Sequence, residues 1–263
     1  MNWRALWRLT EITWAIWFQQ RSFFFLLAFG WMFPPLVSLF IWSTAASGRT
    51  ISGMARGEFV AYYLLLILVN QLTYSMTNWT VGDAIREGTM SFLLLRPLSP
   101  IASTFATEMA GKAVFMLFVI PVAIVLALFL HPILHPTLLN SLAFGPVLLL
   151  AWLLRFFWGY WFALLAFWTT RADALLAIQD TLIFLLAGQV APVALLPGPL
   201  KFAATVLPFR YMVGFPVEVL SGHLSPTDLL NGLLSQVCWL LVAFCLFSIL
   251  WRRGLRRYAA VGG

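Results

Sequence analysis

Residues 83–100 read DAIREGTMSFLLLRPLSP, a charged and interrupted stretch set between two long apolar runs. It carries Asp83, Arg86, Glu87 and Arg96 in a chain that has few charges elsewhere. Asp83 is a candidate helix cap, Gly88 loosens the middle, and Pro97 with Pro100 stops the segment. A helix over residues 84–95 would put Ile85, Phe92 and Leu93 near one side, with Arg86 and Glu87 nearer water. Such a piece is too short to cross a bilayer and too charged to hide inside one. Its pattern predicts a hinge lying on a membrane surface.

The runs on either side fix the class. The 263 residues are 62% hydrophobic and 10% charged, against about half apolar and a quarter charged in soluble domains. This is the composition of an all-α integral membrane protein. About twenty apolar residues span the hydrocarbon core, which places spans at 23–44, 59–81, 103–130, 143–168, 173–194 and 229–251. They fill nearly the whole chain, so residues 1–263 read as one membrane domain with no room for a soluble catalytic one. Pro34-Pro35 should bend the first span.

Residues 1–22 interleave Trp3, Trp7, Trp14 and Trp17 with Arg4, Arg8 and Arg21. Apolar positions recur at three or four, the pattern of an amphipathic helix at a headgroup interface rather than a signal peptide. The competing reading is an extension of the first span. The net charge of +7 reads through topology rather than as a nucleic-acid footprint. With the N-terminus inside, eleven basic residues, Lys112 and Arg171 among them, fall on the cytoplasmic side. Four fall outside and Arg155 falls within a span. Both termini and the 83–100 segment are then cytoplasmic.

Residues 195–225 contain Pro197, Pro199, Pro208 and Pro216 yet stay largely apolar. Two short re-entrant helices, Leu200–Val206 and Phe209–Leu220, would account for that, provided protein shields their backbone. The alternative is an irregular loop over the bundle. No internal repeat is evident, which weakens inverted-repeat transporter architectures.

Chemistry-bearing patterns are sparse. Neither Lys112 nor Lys201 closes a phosphate-binding loop, so ATP-driven work would need a partner. His131 and His135 stand four apart but Pro132 and Pro136 break the turn, and no metal site is expected. His223 is isolated, and hydrolase motifs are absent. Cys238 and Cys245, about 10 Å apart on one helix, are too distant for a disulfide. Glu108 and Lys112 form a favourable helix pair of structural character. Intramembrane charge remains: Arg155 and Asp180 are either a buried pair or the lining of a path. Asn70, Thr73 and Thr77 give the second span a polar face that either holds helices together or lines the same path.

The order of these features resembles a known family. Ile85-Arg86-Glu87-Gly88 leads to Leu94-Leu95-Arg96-Pro97-Leu98-Ser99-Pro100. Later come Leu207-Pro208-Phe209-Arg210-Tyr211, Phe215-Pro216-Val217-Glu218-Val219-Leu220 and a basic tail from Trp251 to Leu255. Together these resemble the permease subunits of bacterial ABC-2 type exporters, over essentially the whole chain. The resemblance implies six spans, an N-terminal interfacial helix, two re-entrant helices before the last span, and a plasma-membrane location. It also implies a second permease, identical or related, and two ATP-binding subunits that hold ATP and Mg, this chain holding no cofactor and doing no catalysis. Asp83, Ile85, Arg86, Glu87, Gly88, Arg96 and Pro97 would then be the ATPase-coupling segment. The residues alone leave open an ion-coupled transporter or channel, a lipid-modifying membrane enzyme, or a scaffold subunit.

Overall fold

The computed structural model describes residues 3–169, 172–222 and 224–258. Among them the regular structure is helical: α1 (Trp3–Gln19), α2 (Arg21–Ala45), α3 (Arg56–Thr73), α4 (Thr77–Arg86), α5 (Met90–Leu94) and α6 (Pro100–Leu130). These are followed by α7 (Leu138–Leu164), α8 (Ala172–Leu186), α9 (Gly198–Val206), α10 (Phe209–Met212), α11 (Gly214–Ser221) and α12 (Pro226–Arg257). Short 3₁₀ turns follow α7 (Leu165–Phe167) and precede α9 (Val193–Leu195).

The long helices start where the sequence supplies caps. Ser99, Thr137 and Ser225 each accept a backbone N–H three residues on, from Ala102, Asn140 and Asp228, with proline in the first turn of α6 and α12. α6 ends at His131, whose φ of 51° is left-handed. Four helices are long and apolar enough to cross a membrane: α2, α6, α7 with its 3₁₀ extension, and α12. α2 stays helical through Pro34 and Pro35.

Two expected spans come out differently. Residues 59–81 are not one helix: α3 stops at Thr73 and α4 starts at Thr77. The run expected at 173–194 is helical only to Leu186, and Gly188 turns the chain with φ +82°. Its start also lies at the edge of description, since Arg171, like His223, falls outside the described residues.

α3 is the centre of the bundle. Twelve of its eighteen residues are buried, and it packs against α2, α6, α7 and α11. A helix covered on nearly all sides belongs in the core, which is why it can carry Tyr62, Tyr63, Asn70 and Gln71 and still sit among apolar neighbours. Its polar groups find partners there: Tyr62 and Tyr63 donate to Gly188 O and Val190 O at 3.1 Å, and Gln71 donates to Ala28 O at 3.3 Å. α12 lies along α7, and Gln236 of α12 donates to Val147 O of α7 and to Tyr211 O of α10.

The region before α12 holds three short helices, not two: the expected 209–220 helix is divided at Val213 into α10 and α11. Phe209, Tyr211, Met212, Phe215, Val217 and Val219 are all buried. Arg210 and Glu218 close on each other as a two-point ion pair, with Nε to Oε2 at 3.1 Å. Burial works against the Arg210 charge, but Glu218 beside it outweighs that and holds the guanidinium pKa above its ordinary value.

Candidate functional site

Residues 83–100, the segment expected to couple, lie mainly on two short helices joined by a glycine turn. Asp83 does not cap the first. The helix begins six residues earlier, and Asp83 sits in the last turn of α4, paired with Arg86. A D-x-x-R spacing serves either purpose, and here it serves as a side-chain pair three residues apart along the helix. Gly88, with φ +76°, ends α4 in a conformation that side-chain-bearing residues avoid, and α5 then leaves in a new direction.

One side of this unit is apolar and buried. Val81, Ala84, Ile85 and Met90 pack with Phe156, Tyr160, Ala163 and Leu164 of the C-terminal half of α7 and with Phe247 of α12. Burying side chains such as Ile85 and Met90 contributes about 1.5–3 kcal/mol each, enough to seat the segment firmly. The other side is open. Glu87, Arg96 and Pro97 are exposed, as are Phe92 at 68% and Leu95 at 84%. Phe92 therefore leaves the apolar side on which a continuous 84–95 helix would have put it, because the Gly88 turn changes the register.

Tyr258, beyond the end of α12, completes the turn. Its hydroxyl donates to Gly88 O at 2.7 Å and accepts from Ser91 N at 3.1 Å, while its ring meets Phe167 edge-on at 5.8 Å. Nothing local in the tail sequence marks this residue; only the folded chain brings it 170 positions back to Gly88. Tyr258→Phe keeps the ring and removes both bonds. It is expected to speed amide exchange over residues 88–92 by loosening the turn by about 1 kcal/mol. Hydrogen–deuterium exchange reads this out, and unchanged rates would mean that ring packing alone sets the turn.

Behind the segment lies the interruption between α3 and α4. A break in a buried helix leaves carbonyls without their helical partners. Arg155 of α7 braces the end of α3: its Nη1 donates to Asn70 Oδ1 at 2.8 Å, to Thr73 Oγ1 at 3.2 Å and to Asn70 O, which also accepts the Tyr74 N–H, at 3.4 Å. Its guanidinium also lies 4.9 Å from the Tyr74 ring centre. Lys112 of α6 supplies a donor at the break, to Tyr74 O. Lys112 is balanced by Glu108 at 3.4 Å, which accepts the Ser75 hydroxyl at 3.0 Å. Cations at a helix C-terminus also match its dipole.

Of the five residues considered for a path, the structure joins Asn70, Thr73 and Arg155 directly. Asp180 of α8 is half-buried and acts on Arg155 through space, with no direct ion pair between them among the described residues. The Thr77 side chain lies outside the described residues. The Glu108–Lys112 pair was legible as a pair; its hold on the break was not.

A cavity of about 270 Å³ opens beside the break. Trp17, Trp31, Tyr74 and Phe115 give it aromatic walls, Glu108 and Lys112 line it, and Leu93 with Arg96 brings it to the coupling segment.

No curated protein and no solved structure matches the chain. A family model described as ABC-2 family transporter protein matches residues 32–262, which is everything from the middle of α2 through α12. That match takes in the coupling segment, the interrupted helix with both its cations, and the Arg210–Glu218 region together. The chain therefore belongs to the ABC-2 family of transporter proteins, as a membrane-embedded permease component.

Proposed function

We propose that this chain is the permease of an ATP-driven exporter whose energy comes from separate ATP-binding subunits docked on its cytoplasmic face. The observation that carries the reading is the two-sided build of residues 83–100. Its apolar side is seated on α7 and α12, and its other side offers Glu87, Phe92, Leu95, Arg96 and Pro97 to a partner. A rigidly seated but outwardly bare element suits a receiver of force. Ile85 and Gly88 serve it from within, by anchoring and by turning, and the Asp83–Arg86 pair stiffens α4.

In this reading the chain crosses the inner membrane of a bacterium six times, with both termini cytoplasmic. α3–α4 and α8 supply the crossings beyond the four long helices, and α9–α11 form the re-entrant region. A second permease, identical or related, completes the transport unit. ATP and Mg belong to the partner subunit. Asn70, Thr73, Thr77, Arg155 and Asp180 flank the route. The aromatic cavity beside the coupling segment favours an amphipathic or hydrophobic cargo taken from the cytoplasm or inner leaflet.

The tagged chain is expected to co-purify with an ATP-binding cassette subunit and to stimulate its hydrolysis. The double variant Glu87→Ala/Arg96→Ala should lower that stimulation about tenfold, as expected when about 1.4 kcal/mol of coupling is lost, while the protein stays in the membrane. Full stimulation by the double variant would remove the segment from the docking surface.

A further inference from the structure

A second cavity, of about 490 Å³, lies where α9, α10 and α11 meet the start of α12. That volume is in the range of small-molecule sites, about 300–1,000 Å³. Two of its walls are polar stripes at helical spacing. Lys201 and Thr205 of α9 stand four apart, and Asp228, Asn231 and Ser235 of α12 follow at three and four, so each set shares one helix face. The Arg210–Glu218 pair and Tyr211 line it as well. Bonds between helices hold these walls in place. The Tyr211 hydroxyl donates to Thr205 O at 2.8 Å, and Trp239 of α12 donates its indole N–H to Val206 O at 3.0 Å.

The four charges of the lining, Lys201, Arg210, Glu218 and Asp228, sum to zero. Arg210 and Glu218 answer each other. Lys201 and Asp228 are exposed, sit on different helices and enter no ion pair among the described residues. A purely anionic ligand would meet Asp228 and Glu218, and a purely cationic one would meet Lys201 and Arg210. A neutral group carrying both signs suits both walls.

Helix lengths give the depth. The 32 residues of α12 extend about 48 Å, against a hydrocarbon core of about 30 Å. Its first turns, with Asp228 and Asn231, therefore fall at headgroup level when the helix crosses a bilayer. On α9, Phe202 and Val206 are 70% and 50% exposed and lie about 100° around the helix from Lys201 and Thr205. Polar cavity and apolar flank thus adjoin, as an amphiphile requires.

We propose that this cavity binds the headgroup of a zwitterionic phospholipid, its phosphate toward Lys201 and its ammonium toward Asp228. The acyl chains run along Phe202 and Val206. The site is separate from the aromatic cavity beside Glu108 and Lys112, and it needs only a chain set in a bilayer, not the ATP-coupled reading.

The test titrates the purified, delipidated full chain with phosphatidylethanolamine and with phosphatidylglycerol of the same acyl chains, followed by native mass spectrometry. The wild type should take its first zwitterionic lipid about tenfold more tightly, a difference of about 1.4 kcal/mol. Lys201→Gln, at an exposed position, should lose that preference. Asp228→Asn should turn it toward phosphatidylglycerol, with Ser225 still capping α12 through the backbone N–H of residue 228. Soluble glycerophosphoethanolamine, a headgroup without chains, should compete only far above the lipid concentration. Equal binding of both lipids by the wild type, or a preference that both variants keep, would overturn the site. Competition by the soluble headgroup at the lipid's own concentration would overturn the assignment to a lipid.

Discussion

Arg155→Ala is expected to be the most damaging single truncation in the bundle. The guanidinium is buried and holds Asn70 and Thr73 at the end of α3 through three bonds between 2.8 and 3.4 Å. Its removal leaves the buried Asn70 Oδ1 without its donor and leaves Asp180 without the charge that acts on it. Leaving a buried polar group unsatisfied costs about 1–3 kcal/mol, a large part of the roughly 5–15 kcal/mol that holds a typical fold together. The variant should lose monodisperse protein on size-exclusion after mild heating in detergent. Arg155→Lys should fall between, because an ammonium keeps the charge but cannot reproduce the forked reach to both Asn70 and Thr73. An alanine variant as heat-stable as wild type would show that the break at residues 74–76 stands without Arg155.

Gly222→Val should be the next most damaging, on the opposite end of the molecule. Gly222 closes α11 with φ +84°, where a side chain costs about 1–2 kcal/mol from the backbone alone. Space is shorter still: a Cβ would lie 2.0 Å from His135 O and 2.5 Å from its carbonyl carbon. These are backbone atoms of the α6–α7 connection, so relief requires moving that connection, and no rotamer change can supply it. The same heating assay should show a lower midpoint, with the turn at Gly88 exchanging at its normal rate. A midpoint equal to wild type would mean that the 131–137 connection yields freely.

The contrast between these two sites shows what the sequence made readable. Long apolar runs announced α2, α6, α7 and α12, because crossing a bilayer is a matter of length and composition. The same criterion hid the break at 74–76: reaching spanning length from Phe59 requires running on through the polar stretch 70–80, whose residues suit a polar helix face as well as a helix end. Asn70, Thr73 and Arg155 stood out as polar groups in an apolar setting, but their joint purpose depends on α7 meeting the end of α3, which no local pattern encodes. Lys112 was similarly visible only with its neighbour on the same helix, Glu108. Over residues 83–100, Gly88 divides the expected 84–95 helix instead of merely loosening it, and Asp83 is no cap because its helix starts at Thr77 and not beside it.

The clasp between Tyr258 and the Gly88 turn has a genetic consequence. A premature stop immediately after Arg257 would leave every helix among the described residues complete, including the whole of α12. The hydroxyl that holds Gly88 O and Ser91 N would nevertheless be gone. Such a lesion would fall on the Gly88 turn rather than on the tail where it is written.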